Sequence, residues 1–160
     1  MNMNPKKVVV EALKIRNRIN SELDSKENAI DMEFDQVEPF KVYDDIRLII
    51  IGQDPTFKNQ LSRKYIKKTL NLDKPGGSLR NYIEKGICRS LGIDLNNVYA
   101  TNIFKYFYTI PPARIPDFMY SHLDLNFKLL RHEVLAFHDV SVKNLGEPVL
   151  QMLSTGNCFW

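Results

Sequence analysis

Gln53 and Asp54 stand directly behind the apolar run Leu48-Ile49-Ile50-Ile51, with Gly52 between and Pro55 after them. Both need water or a hydrogen-bonding partner just where the apolar residues stop. Open α/β sheets place their ligand chemistry at the carboxyl ends of strands, so a polar pair here marks a candidate site. A plainer reading carries equal weight: Asp54 caps a turn that Pro55 stiffens. Asn102 closes a second apolar run, Val98 to Thr101, in the same way.

The surrounding residues suggest what such a site would take. From Lys58 to Arg80 the chain carries Lys58, Arg63, Lys64, Lys67, Lys68, Lys74 and Arg80 against Asp73. A cationic rim suits a polyanion such as nucleic acid; a solvated helix face would account for the same charges. The turn Pro75-Gly76-Gly77-Ser78, with Ser78 placed as N-cap, offers either an anion site on free backbone N–H groups or a simple linker. Phe104, Tyr106, Phe107 and Tyr108 interleave with Lys105 and Arg114 in a stretch that also holds Pro111, Pro112 and Pro116. Such rings could stack on bases, but most are expected to face the core.

The hydrophobic pattern predicts the elements that hold these groups. After Pro5, the residues Val8, Ala12, Ile15, Ile19 and Leu23 recur at helical spacing. The acidic stretch Ser21 to Asp45 follows as a surface loop. Arg47 to Ile51 and Val98 to Thr101 read as buried parallel strands, and Val140 to Val142 as a third. Gln60 to Lys68 is a short helix or an ordered loop. Leu79, Tyr82, Ile83, Ile87 and Leu91 form one helical stripe that Gly92 ends. A long helix, Asp117 to Phe137, presents Leu123, Phe127, Leu130, Val134 and Phe137 on one face, and a last helix covers Val149 to Leu153. Alternating strands and helices predict an α/β fold, a parallel sheet with helices on both faces. The Asp54 and Asn102 loops then face one crevice.

The 160 residues suffice for one domain, residues 1–160, with its own core. The formal charge is a modest +3. No apolar run approaches bilayer length and the amino terminus lacks a secretory pattern, so a cytoplasmic, soluble monomer with no membrane partner is expected. Cys88 and Cys158 are too few and too far apart for a disulfide framework or a Cys-rich metal site. Neither metal nor cofactor is expected.

Four landmarks in order resemble the uracil-DNA glycosylase superfamily: Gly52-Gln53-Asp54-Pro55, the turn Pro75 to Leu79, the strand Val98 to Asn102, and Leu145-Gly146-Glu147-Pro148. The resemblance spans about Arg47 to Leu153. It implies a three-layer α/β/α sandwich around a small parallel sheet, and a partner that is DNA containing uracil or a related lesion, whose base is extruded into the crevice. Asp54 would activate water and offset charge on an oxocarbenium-like sugar. The backbone at Gln53 would hold the base, and the Asn102 amide, donor and acceptor in one group, would read its edge. Pro75, Gly76, Gly77 and Ser78 would pinch the DNA backbone.

Three departures from that pattern bear on function. Thr56 then Phe57 follow GQDP where a thymine-blocking Tyr is usual, so Phe57 is the candidate to take over that contact. The stacking aromatic aligns with Leu70 or Leu72. The His-Pro-Ser segment after a fourth strand has no counterpart among the twelve residues after Pro148, and His122, His132 and His138 all precede the third strand. The tail Ser154 to Trp160 reads as an arbitrary ending. The expectation is a carboxyl-terminally truncated domain without the last strand, its third strand left as an open edge. Two functions follow: a glycosylase hydrolysing the N-glycosidic bond of uracil, or a DNA-binding relative with weak or no catalysis. A nucleotide- or phosphate-binding α/β domain ranks last, because no P-loop or dinucleotide fingerprint is present.

Overall fold

The computed structural model describes residues 4–22, 30–56, 59–109 and 116–155. Leu23, Phe57, Lys58, Pro111, Pro112, Arg114 and Gly156 to Trp160 lie outside the described residues. Three parallel strands, β1 (Leu48–Gly52), β2 (Val98–Asn102) and β3 (Ser141–Asn144), form a sheet in the order β2-β1-β3. The helices are α1 (Pro5–Glu22), α2 (Gln60–Arg63), α3 (Ser78–Asn81), α4 (Arg89–Leu91), α5 (Pro116–Leu135) and α6 (Glu147–Thr155). The fold is thus mixed α/β, with helices around a small parallel sheet. None of the described helices is long and apolar enough to cross a membrane.

Alternation along each strand sorts the side chains by face. Ile49, Ile51 and Tyr99 cluster with Ile19 of α1, Leu123, Phe127 and Leu130 of α5, and Val149 and Met152 of α6. Leu48, Ile50, Val98 and Ala100 cluster with Leu72, Ile83, Cys88 and Leu95. Every position of β1 and β2 is buried, as an apolar run in a doubly covered sheet requires. Each of the β1 isoleucines contributes roughly 1.5–3 kcal/mol by leaving water.

Helix α1 starts at Pro5, and Asn4 Oδ1 accepts from the Lys6 N–H at 3.0 Å, an N-terminal cap. Gly92, at φ 64°, ends the helical stretch after Leu91 as expected. The stripe before it is different. Tyr82 and Leu91 are exposed, and the buried residues are Ile83 and Cys88, five apart. Between α3 and α4 the backbone is π-helical from Tyr82 to Cys88, and its wider turn aligns residues i and i+5 rather than i and i+4. Ser78 is the first helical residue and not the N-cap: Gly77 holds that place, with no side-chain cap.

Strand β3 lies one to two residues later than the hydrophobic pattern placed it, because its ladder with β1 runs from Ser141 to Asn144. Among the described residues it pairs with β1 alone. The acidic stretch is more than a surface loop. Residues 30–47 form a strap along the outer edge of β2 and the segment after it. Phe40 exchanges backbone hydrogen bonds with Ala100 at 2.8 and 2.9 Å, Val37 N–H donates to Lys105 O at 2.7 Å, and Asp31 N–H to Phe107 O at 2.9 Å.

Candidate functional site

Parallel pairing of Gly52 with Asn102 brings the ends of β1 and β2 side by side. Beyond them, Ile103 and Phe104 N–H donate to Gly52 O and Gln53 O, both at 2.9 Å. These bonds fix the loops that leave the two strands. A cavity of about 420 Å³ opens there, lined by Asp54, Leu70, Asn71, Ser78, Arg80 and Asn102 among others. Asp54 and Asn102 therefore share one crevice, as the topology predicts.

Asp54 is held by Thr56. The Thr56 N–H donates to Asp54 Oδ1 at 2.7 Å, and Thr56 Oγ1 accepts from Tyr108 N–H at 3.0 Å. Asp54 is half-buried and lines the cavity. Burial pushes its pKa up from the ordinary carboxylate value; the Thr56 hydrogen bonds and the more distant Arg63 charge oppose that shift. The Asp54 that caps this turn is thus also a carboxylate lining the cavity. Tyr106 and Tyr108 are fully buried; burial pushes Tyr106 up to about 12 and raises Tyr108 well above the usual phenol value, so both phenols stay neutral.

Asn102 is 1% exposed, and its Oδ1 has no hydrogen-bond partner among the described residues. Leaving such an oxygen unpaired costs on the order of 1–3 kcal/mol, which a ligand donor would recover. Its backbone is clamped from below. Lys105 Nζ donates to Asn102 O and pairs with Glu133 of α5 at 2.5 Å. Glu133 Oε1 also accepts from Tyr99 OH at 2.8 Å and Thr101 Oγ1 at 2.7 Å, so one carboxylate grips β2 at two positions. Lys105, Glu133, Tyr99 and Thr101 are all fully buried.

The remaining expected residues divide. Leu70 borders the cavity, whereas Leu72 is wholly in the core. Gly77 and Ser78 line the cavity; Pro75 and Gly76 are exposed beyond it. Gln53 is half-buried and its side chain does not line the cavity. Phe57 is outside the described residues. Phe104, Tyr106, Phe107 and Tyr108 are at most 1% exposed, so none of these rings is open to a base.

Much of the basic stretch is engaged internally. Arg63, 2% exposed, pairs with Asp31 at 2.6 Å; Lys68 pairs with Glu38 at 2.8 Å; Lys74 donates to Tyr65 O; Arg80 donates to Leu72 O at 2.5 Å. Lys64 and Lys67 are exposed. Sequence reasoning missed Thr56, Asn71 and the Lys105–Glu133 pair. The Asp-x-Thr spacing was a readable signal for the first; the pair spans 28 residues and had none. Among the described residues no group of three His, Cys, Asp or Glu side chains could hold a metal ion. No protein-family model matches the chain, and no curated protein matches it.

Proposed function

We propose that the chain is a relative of the uracil-DNA glycosylases, an α/β/α sandwich, and that it hydrolyses the N-glycosidic bond of uracil or a related damaged base in DNA. One observation carries the reading. A half-buried carboxylate, Asp54, and a buried amide whose oxygen lacks a partner, Asn102, from the ends of adjacent strands, line one cavity of about 420 Å³. That volume falls within the range of small-molecule sites and accommodates a flipped-out base.

In this reaction a water oxygen bonds to the sugar C1′ while the C1′–N bond breaks and its electron pair leaves with the base. Asp54 takes the proton from that water, and its charge offsets the cationic sugar. Asn102 accepts from the base N3–H through Oδ1. Leu70 forms an aliphatic wall where a ring would stack, and Gly77 and Ser78 meet the sugar–phosphate strand at the rim. Base excision repair is the setting for such chemistry.

The test is release of uracil from a single-stranded oligonucleotide, wild type beside Asp54→Asn. Release by the wild type that the variant loses supports the reading; no release from folded wild type overturns its catalytic part. A second reading, recognition with weak or no catalysis, draws support from the histidines. His132 and His138 are exposed, and the described lining of the cavity holds no His to stabilise a departing base anion. It predicts uracil binding without release.

A further inference from the structure

The rings of Phe104, Tyr106, Phe107 and Tyr108 are sealed in the core, but the ring of Tyr65 is open. Tyr65 is 60% exposed. Tyr43 and Tyr82 are exposed as well, yet among the described residues only Tyr65 of the three has cations against its ring. Lys64 Nζ lies 4.9 Å from the ring centroid and Lys74 Nζ 5.9 Å. The tyrosine keeps its exposure with both ammoniums in place.

Tyr65 sits between two segments of the cavity wall. Its chain neighbour Ile66 lines the cavity, and Leu70 and Asn71 follow on the same wall. Those two are consecutive left-handed residues, at φ 57° and 55°, and they turn the chain. Beyond the turn, Lys74 donates to Tyr65 O. That bond ties the tyrosine to the stretch that carries Gly77 and Ser78 to the cavity rim.

A single exposed tyrosine on a protein surface needs no explanation. A ring bordered by two lysines and bracketed by cavity-lining segments is a different arrangement. Single-stranded nucleic acid is held by stacking its bases on aromatic rings while cations follow its phosphates. Every base has a face to offer, so such a ring works without reading sequence. Lys64 is exposed and is free to meet the adjoining phosphate. A duplex cannot use the ring, because its bases are already stacked on one another.

We propose that Tyr65, with Lys64 and Lys74, is a stacking subsite for an unpaired base of single-stranded DNA, next to the nucleotide that enters the cavity. The proposal rests on the reading of the cavity as a base site. It adds a strand preference: a single strand places a neighbouring base on Tyr65, and a duplex does not.

The probe is an oligothymidylate of about eight nucleotides, a length typical of single-strand sites. Its affinity for the full chain is read by fluorescence anisotropy of the labelled strand. Tyr65→Ala should bind it roughly 5- to 100-fold more weakly, the share of one stacked base, while Tyr65→Phe keeps the affinity. Tyr43→Ala, which removes an exposed ring without cations, should change nothing. The slope of log affinity against log salt should be the same in Tyr65→Ala as in wild type, because no phosphate contact is lost. A duplex of the same length should bind wild type and Tyr65→Ala alike. Thermal unfolding verifies that each variant is folded.

Undiminished affinity of Tyr65→Ala for the single strand would overturn the subsite; uracil release by the wild type would still leave the cavity reading standing. Tyr65-dependent binding of the single strand without any uracil release would support the subsite and overturn the catalytic reading instead. Equal losses for single strand and duplex would show that Tyr65 acts through the fold rather than by stacking, and the inference would fail. No binding of either strand form to folded wild type would overturn both.

Discussion

Gly52 and Asn102, paired across β1 and β2, are so close that a Cβ at Gly52 would lie 2.4 Å from Asn102 Oδ1. The same carbon would stand 3.2 Å from Leu70 Cδ2. The glycine of GQDP is therefore required by space, not by a left-handed backbone. Gly52→Ala is expected to push the Asn102 amide out of position, costing about 1–3 kcal/mol in stability from overpacking and lowering uracil affinity. Chemical denaturation and base titration on the same sample check both effects. Unchanged affinity would mean that the Asn102 amide is not the group that reads the ligand.

Asp54 gives a pH-dependent prediction. Its folded-state pKa is raised, chiefly by burial, so the folded protein holds the proton more tightly than the unfolded chain. The stability this contributes is complete below the unfolded value of about 3.9 and is lost as pH rises through the folded value. Asp54→Asn keeps the oxygen that accepts from Thr56 N–H and removes the ionisation. The variant should melt higher than wild type at pH 7, and the difference should shrink towards pH 4. Uracil release, if Asp54 is the base, should rise with pH through the same raised pKa and fall by about 10²- to 10⁴-fold in Asp54→Asn.

The Lys105–Glu133 pair is expected to matter for folding before it matters for function. Breaking a buried pair by removing one partner typically costs about 3–5 kcal/mol. Lys105→Met leaves Glu133 charged and buried. The double variant Lys105→Met/Glu133→Gln removes that charge while keeping an acceptor for Tyr99 and Thr101. Urea denaturation should find the single variant the less stable of the two. The reverse order would show that Lys105 contributes packing rather than charge.

Electrostatic contact with DNA should be modest. Arg63, Lys68, Lys74 and Arg80 hold internal partners, whereas Lys64 and Lys67 are exposed. If these two lysines neutralise phosphates, the slope of log affinity against log salt on single-stranded DNA should shallow by roughly 0.7 for each one replaced by Ala. Fluorescence anisotropy across a salt series measures it. An unchanged slope in Lys64→Ala/Lys67→Ala would move the DNA path to another face.

What was legible in the chain followed from local physics. Four apolar residues ending at Gly52 specify a buried parallel strand, and Asn102 ending β2 follows from the same logic. Their common crevice needs only the right-handed crossover. Helix α5 and the Gly92 stop also follow from periodicity and chirality. What escaped depends on contacts distant in sequence or on backbone states that no side-chain pattern announces. Arg63 reads as a surface cation until Asp31 is placed against it. Lys105 reads as a rim charge until Glu133 arrives from α5. Leu70 and Leu72 are equivalent as letters; only the left-handed turn puts the first at the cavity and the second in the core. The π-helical segment shifted the buried face of its helix to a five-residue spacing that a 3.6-residue template does not see.

The strap over β2 has a consequence for how the chain is made. Phe40 and the central strand are both synthesised well before Val98–Asn102, the strand that pairs with each of them. At about 5–20 residues per second, Leu48 to Ile51 waits some 2–10 s for its first partner strand. During that interval the nascent chain carries a bare β-prone segment, the kind that neighbouring chains on a polysome would capture. Charged residues flank it on both sides: Asp44, Asp45 and Arg47 before it and Asp54 after it. In a half-made chain these act as gatekeepers against self-association. The carboxylate proposed to serve the finished site would protect the unfinished one first.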